Sequence, residues 1–118
     1  MTAQKLNVLV VDDEVFVRLT AVDVIEEAGH SAIEASDADE AIALLEEHPE
    51  IDVVFSDIKM PGSMDGLGLA GLLHRQWPTI KVILTSGHMS LNDLEPGAIF
   101  LAKPYRASAL TERLAAMT

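Results

Sequence analysis

Residues 51–57 read Ile51-Asp52-Val53-Val54-Phe55-Ser56-Asp57, an apolar run that ends on a carboxylate. Two further runs have the same form. Leu6-Asn7-Val8-Leu9-Val10-Val11 leads into Asp12-Asp13-Glu14, and Ala98-Ile99-Phe100-Leu101-Ala102 leads into Lys103-Pro104. Short, continuous, β-rich apolar runs suit strands covered on both faces. Charged groups resist burial, so carboxylates and a lysine at the exits of such strands are poor choices for stability. If the strands are parallel neighbours, the three exits converge on one edge of a sheet, where open α/β folds place their ligands. That edge then reads as an acidic metal pocket with one reactive carboxylate, Asp57, and one fixed cation, Lys103.

The rest of the chain supplies the crossovers. Phe16, Leu19, Val22 or Asp23, and Ile25 recur near helical spacing up to Gly29. Ser31–Ala35 is a short, weaker strand. Asp37-Ala38-Asp39-Glu40 has a capping-box layout, in which Asp37 caps and Glu40 reaches back. The helix it starts carries Ala41, Ile42, Leu44 and Leu45 and stops before Pro49. Ile51–Ser56 is the third strand, Leu67–Trp77 a helix stopped by Pro78, Lys81–Ser86 the fourth strand and Ala98–Ala102 the fifth. Ala109–Met117 is a last amphipathic helix with Leu110 and Leu114 inward. Strand and helix alternate about five times, and right-handed crossovers between parallel strands leave few topologies. Gly87–Gly97 breaks the rhythm and reads as a loop with at most one short helical turn near Ser90–Leu94.

Composition narrows the function. The chain has 118 residues, 49% of them hydrophobic, which is one domain with enough apolar residues for a core. Nineteen acidic residues against 8 basic give a net charge of -11, which opposes binding of phosphate backbones, so no direct nucleic-acid contact is expected. The absence of cysteine excludes disulfides, thiolate zinc sites and thiol catalysis. The apolar run before Asp12 is too short for a signal-peptide core and no stretch is long enough to span a membrane, so the expected location is cytoplasmic.

Four motifs occur in order, each after a strand: Val10-Val11-Asp12-Asp13-Glu14, Asp57-Ile58-Lys59-Met60-Pro61, Thr85-Ser86-Gly87 and Lys103-Pro104-Tyr105. Together they give the chain a resemblance to the receiver domains of bacterial two-component response regulators, from Val8 to Leu114. The resemblance implies one receiver domain over residues 1–118. It also implies a flavodoxin-like, doubly wound, five-stranded parallel sheet in the order 2-1-3-4-5. The short Gly87–Gly97 segment then leaves the fourth helix shortened or replaced by a loop.

The resemblance also implies the chemistry. Asp57 accepts a phosphoryl group from the phosphohistidine of a histidine kinase or histidine phosphotransfer protein, in a Mg²⁺-dependent reaction. Asp13 and Asp57 ligate the ion directly, Asp12 through water, and the Lys59 carbonyl adds an oxygen. Lys103 pairs with the phosphoryl oxygens, and the bond before Pro104 is cis. Ser86 is the switch hydroxyl, with Thr85 the competing choice, and Phe100 takes the place of the switch aromatic. The Lys59 side chain borders the path of an attacking water. The partners are the kinase and a downstream effector protein or domain. Catalysis extends only to the domain's own phosphorylation and dephosphorylation.

Two features depart from the common pattern. The loop Met60-Pro61-Gly62-Ser63-Met64-Asp65-Gly66 is one residue longer than usual, and Gly87–Gly97 is too short for the usual turn-helix-turn. Three other readings fit the residues less well. An aspartyl-phosphate phosphatase needs a second acid where this chain has Lys59. A flavin carrier needs a hydroxyl- and glycine-rich phosphate loop where this chain has Asp12-Asp13-Glu14, which would repel the phosphate. A pseudo-receiver acting only as a binding module is at odds with an intact acidic trio and Lys103. The four histidines, His30, His48, His74 and His88, are scattered without ligand spacing.

Overall fold

The computed structural model describes residues 4–87 and 97–118. The turn expected near Ser90–Leu94, and with it the fate of the fourth helix, lies outside the described residues, as does His88. Within them the order is β1 (Asn7–Val11), α1 (Val15–Glu27), β2 (Ser31–Ala35), α2 (Ala38–Glu47), β3 (Val53–Asp57), α3 (Gly66–Gln76), β4 (Lys81–Ser86), β5 (Ile99–Ala102) and α4 (Ala107–Ala115). The strands form one sheet in the order β2-β1-β3-β4-β5, with every neighbouring pair parallel.

Side-chain alternation along the strands divides the core in two. Leu9, Val11, Val54, Val82 and Leu84 pack under α2 and α3 with Ala41, Leu45, Leu69 and Leu73. Val8, Val10, Val53, Phe55, Ile83 and Leu101 pack under α1 and α4 with Ala21, Ile25, Leu110 and Leu114. The central strands are therefore apolar on both faces, whereas the edge strand β2 is buried fully only at Ala35.

Three local expectations are corrected. The apolar stripe of α1 that faces the sheet is Ala21, Val22 and Ile25, while Phe16 is 86% exposed and Leu19 42%. Phe16 precedes Ile25 by nine residues, which at 3.6 residues per turn places it about 180° away. Second, the capping box of α2 is offset: Asp37 accepts from the Glu40 N–H at 2.9 Å, but Glu40 Oε1 accepts from the Ser36 N–H rather than from the cap residue. Third, some boundaries shift. Asp57 is the last residue of β3 rather than the first beyond it, still in register with Thr85 of β4, while Ile51 and Asp52 form a lead-in whose Asp52 carboxylate accepts from the Asn7 N–H at 2.8 Å. The last helix begins at Ala107 and ends at Ala115.

Candidate functional site

The strand order sets the C-terminal ends of β1, β3, β4 and β5 side by side, at the point where successive connections leave in opposite directions. Asp12 follows β1 directly, and its N–H continues the ladder to the Ala35 carbonyl at 3.1 Å. Its carboxylate turns back to accept from the Glu14 N–H at 2.9 Å. Asp57 closes β3. One carboxylate oxygen from each of Asp12, Asp13 and Asp57 lies within 4.8 Å of the others. Lys103, just past β5, is held through its N–H to the Ser86 carbonyl at 3.0 Å, and the Lys103–Pro104 bond is cis. Its ammonium Nζ lies 3.4 Å from Asp57 Oδ2.

This edge is electrostatically unfavourable on its own. Burial pushes the Asp12 carboxyl above its ordinary value; the Glu14 N–H bond opposes the rise, the Asp57 carboxylate adds to it, Lys103 lowers it and Asp13 raises it. Burial likewise pushes the Tyr105 phenol up to about 12, with Asp12 and Asp57 adding to the shift. Tyr105 packs edge-on against Phe55, ring centres 5.8 Å apart, so the apolar core reaches to within one residue of the charges.

The remaining candidates are placed as follows. Ser86 is buried at the end of β4. Thr85 precedes it, paired in register with Asp57; its hydroxyl is buried and has no hydrogen-bond partner among the described residues. Phe100 is half-buried and packs on the α2/α3 side. The Lys59 side chain is exposed in the turn after β3. Among the described residues the histidines do not converge: His30 Nδ1 accepts from the Leu6 N–H at 3.0 Å, His48 pairs with Glu50 at 3.1 Å, and His74 is exposed on α3.

Three contributors were not legible as such. Arg18 donates through Nη1 to the Asp12 carbonyl at 2.8 Å and through Nε to Glu34 Oε1 at 2.9 Å, tying α1 and β2 to the acidic exit. The available signal was an arginine one helical turn after Glu14. Gly66 donates its N–H to the Ile58 carbonyl at 2.8 Å and brings α3 against the backbone of Asp57. Val15, Phe16 and Leu19 form an exposed apolar patch on α1. It borders an open groove of about 630 Å³ that Lys103, Pro104 and Tyr105 also line.

The response regulator receiver domain family matches residues 8–115. The chain belongs to that family. The receiver is 35% identical over 117 residues to the nitrogen assimilation regulatory protein NtrX of Azorhizobium caulinodans, covering 91% of this chain and 25% of that protein. It thus spans about a quarter of the length of the curated relatives it matches first. Among solved structures it resembles a CheY-like receiver domain protein from Methanospirillum hungatei, with TM-score 0.86, 28% identity and coverage of 97% of this chain and 94% of that one. It also resembles the receiver domain of the hybrid histidine kinase CckA, with TM-score 0.79, 35% identity and coverage of 92% and 94%. The strand order implied by the sequence is the one observed. A receiver is a phosphoacceptor module of two-component signalling, in partnership with a histidine kinase, and its acidic trio has the composition of a metal site.

Proposed function

We propose that Asp57 is the phosphoacceptor and that the reaction depends on Mg²⁺. The observation that carries this reading is the meeting of three carboxylates within 4.8 Å with an ammonium 3.4 Å from just one of them, Asp57. The donor set fits the ion: it is all hard oxygen, with no thiolate and, among the described residues, no convergent histidine, and it is too small to fill an octahedral shell, leaving room for water and phosphoryl oxygens. Asp13 and Asp57 would hold the ion directly, Asp12 through water, with the Lys59 carbonyl as a further oxygen. Bound there, it neutralises charge on the acceptor and on the phosphoryl oxygens.

The chain's own residues do the rest. An Asp57 carboxylate oxygen attacks phosphorus in line; the new O–P bond forms as the P–N bond to the donor imidazole breaks, and the nitrogen keeps the electron pair. Such transfer needs positioning and charge neutralisation more than covalent help. Lys103 turns its ammonium from Asp57 Oδ2 to a phosphoryl oxygen, a charge-assisted bond. Ser86 supplies the hydroxyl that reads the modified acceptor, and Phe100 repacks with it. The Lys59 side chain borders the route of the water that later hydrolyses the aspartyl phosphate. Autophosphorylation from small donors and this hydrolysis are the only reactions assigned to the domain.

The donor is the phosphohistidine of a histidine kinase or a histidine phosphotransfer protein, and a downstream effector protein or domain reads the product. The patch of Val15, Phe16 and Leu19 beside the Lys103 groove suits docking of the donor, since an exposed apolar cluster next to a reactive site marks an interaction surface. No helix among the described residues is long and apolar enough to cross a membrane, and we place the domain in the cytoplasm, without direct nucleic-acid contact. The test is incubation with acetyl phosphate and Mg²⁺. One hydroxylamine-labile phosphoryl group per chain is expected, and none on Asp57→Asn. Persistent labelling of that variant would move the acceptor elsewhere.

A further inference from the structure

β4 lies between β3 and β5, so the Lys103 ammonium reaches Asp57 only by crossing the β4 row, a span of two strand spacings, about 9.6 Å. The β4 residue in register with Asp57 is Thr85, which also pairs with Leu101, two residues before Lys103. Registered neighbours share a face of the sheet, and residues i and i+2 do so along a strand. Thr85 therefore lies on the face of Ile83, Phe55 and Leu101, directly under the path of the Lys103 stem. It is 3% exposed, and its Oγ1 has no partner among the described residues. A buried hydroxyl without a partner is disfavoured where a valine of the same shape would fit. Ser86 points by the same alternation to the opposite face, so the two hydroxyls cannot share one task.

We propose that Thr85 is a positioning residue for Lys103. The ammonium carries three N–H donors, and its 3.4 Å ion pair with Asp57 engages at most one of them. During phosphoryl transfer, the charge on Asp57 passes into the phosphoryl group. The Thr85 hydroxyl oxygen then accepts a second ammonium proton and keeps Nζ over the β4 row, facing the phosphoryl oxygens instead of solvent. Lys103 is partly exposed, so without this acceptor its flexible stem has an open alternative. The β-branched Thr85 side chain is stiff, which suits a fixed support. The inference rests on phosphoryl transfer to Asp57 as proposed above.

The experiment compares the wild type with Thr85→Val, which keeps the shape and removes the hydroxyl, and Thr85→Ser, which restores it. With acetyl phosphate and Mg²⁺, Thr85→Val should lower the maximal phosphorylation rate roughly tenfold, the change one hydrogen bond makes. Half-saturating Mg²⁺ should be unchanged, and Thr85→Ser should recover most of the rate. The second readout is the ¹H–¹⁵N signal of the Lys103 ammonium in protein loaded with beryllium fluoride. It should be present in the wild type and Thr85→Ser and lost or exchange-broadened in Thr85→Val. A folded Thr85→Val that phosphorylates at the wild-type rate and keeps that signal would overturn the inference. Failure of the wild type itself to label at Asp57 would instead overturn the reading on which it rests.

Discussion

Gly66→Ala should be more harmful than a single methyl suggests. A Cβ at Gly66 would lie 2.3 Å from the Asp57 carbonyl oxygen, 2.7 Å from Ile58 Cα and 3.0 Å from the Asp57 carbonyl carbon. All three are backbone atoms, so no side chain can rotate away. Ordinary contact begins near 3.5 Å, so the start of α3 would have to retreat by about 1 Å. Overpacking of this kind costs about 1–3 kcal/mol. Strain on the bond from the Gly66 N–H to the Ile58 carbonyl adds up to about 1 kcal/mol. Alanine's helix preference and the stiffer unfolded chain return at most ~1 kcal/mol. The net expectation is a loss of about 1–3 kcal/mol.

Urea unfolding measures this directly, with Gly87→Ala as the control, since a Cβ there meets nothing within 4 Å and no positive φ is involved. The control should stay within about 0.5 kcal/mol of wild type. Function should fall further than stability. The atoms that clash belong to the acceptor's own backbone, and a displacement of about 1 Å at a reacting group can cost on the order of 100-fold in rate. The labelling rate with acetyl phosphate, measured where the variant is folded, tests that. A Gly66→Ala protein with wild-type stability and labelling rate would refute the close-approach argument.

Three further outcomes follow from the site. Asp13→Asn should weaken Mg²⁺ binding, followed by titration calorimetry, more than Asp12→Asn does, because a direct ligand is lost rather than one acting through water. Without Mg²⁺, Asp12 should make stability fall as pH rises: its folded pKa lies above the ordinary 3.8, so between the two values the native state holds the extra proton, and the penalty is complete above the folded pKa. Asp12→Asn should flatten that slope and raise stability at neutral pH, as read by urea unfolding across pH. Phe16→Ser, at a position 86% exposed, should change stability by no more than about 0.5 kcal/mol, yet slow transfer from a phosphohistidine donor while leaving labelling by acetyl phosphate unchanged.

The parts of this structure that were legible in the sequence are those where one physical requirement dominates. A strand buried on both faces must be apolar throughout, so β1, β3 and β4 stand out, and charges at their exits mark the sheet edge. Helix ends set by a side-chain oxygen were visible at Asp37 but not at Asp65, which accepts from the Gly68 N–H at 2.9 Å in a glycine-rich stretch without a clear apolar rhythm. The stripe on α1 is not the one the spacing suggests, because Phe16 and Leu19 fall near helical spacing yet lie on the exposed side. Arg18 and Gly66 were invisible for a different reason. Arg18 matters through its bonds to the Asp12 carbonyl and to Glu34, and Gly66 through its approach to the backbone at Asp57 and Ile58; no apolar or capping pattern encodes such contacts.

The alternation of side chains also separates chemistry from response. Asp57 shares a face with Phe55, and so belongs to the side covered by α1 and α4. Ser86 alternates with Thr85 and shares the face of Leu84, and Phe100 packs with that same α2/α3 side. A phosphoryl group on Asp57 thus arises on one side of the sheet, while the residues proposed to read it sit on the other. The sheet cannot carry the signal through its middle, where apolar side chains are fixed by close packing. The signal has to pass around the C-terminal edge, where the layer is one backbone thick and the Lys103 N–H already bonds the Ser86 carbonyl at 3.0 Å. That bond joins the cation that faces the acceptor to the residue that faces the other core. If Asp57 is phosphorylated as proposed, movement of Lys103 toward the phosphoryl group and reorientation of Ser86 would be two ends of one displacement, which favours Ser86 over Thr85 as the proposed switch hydroxyl.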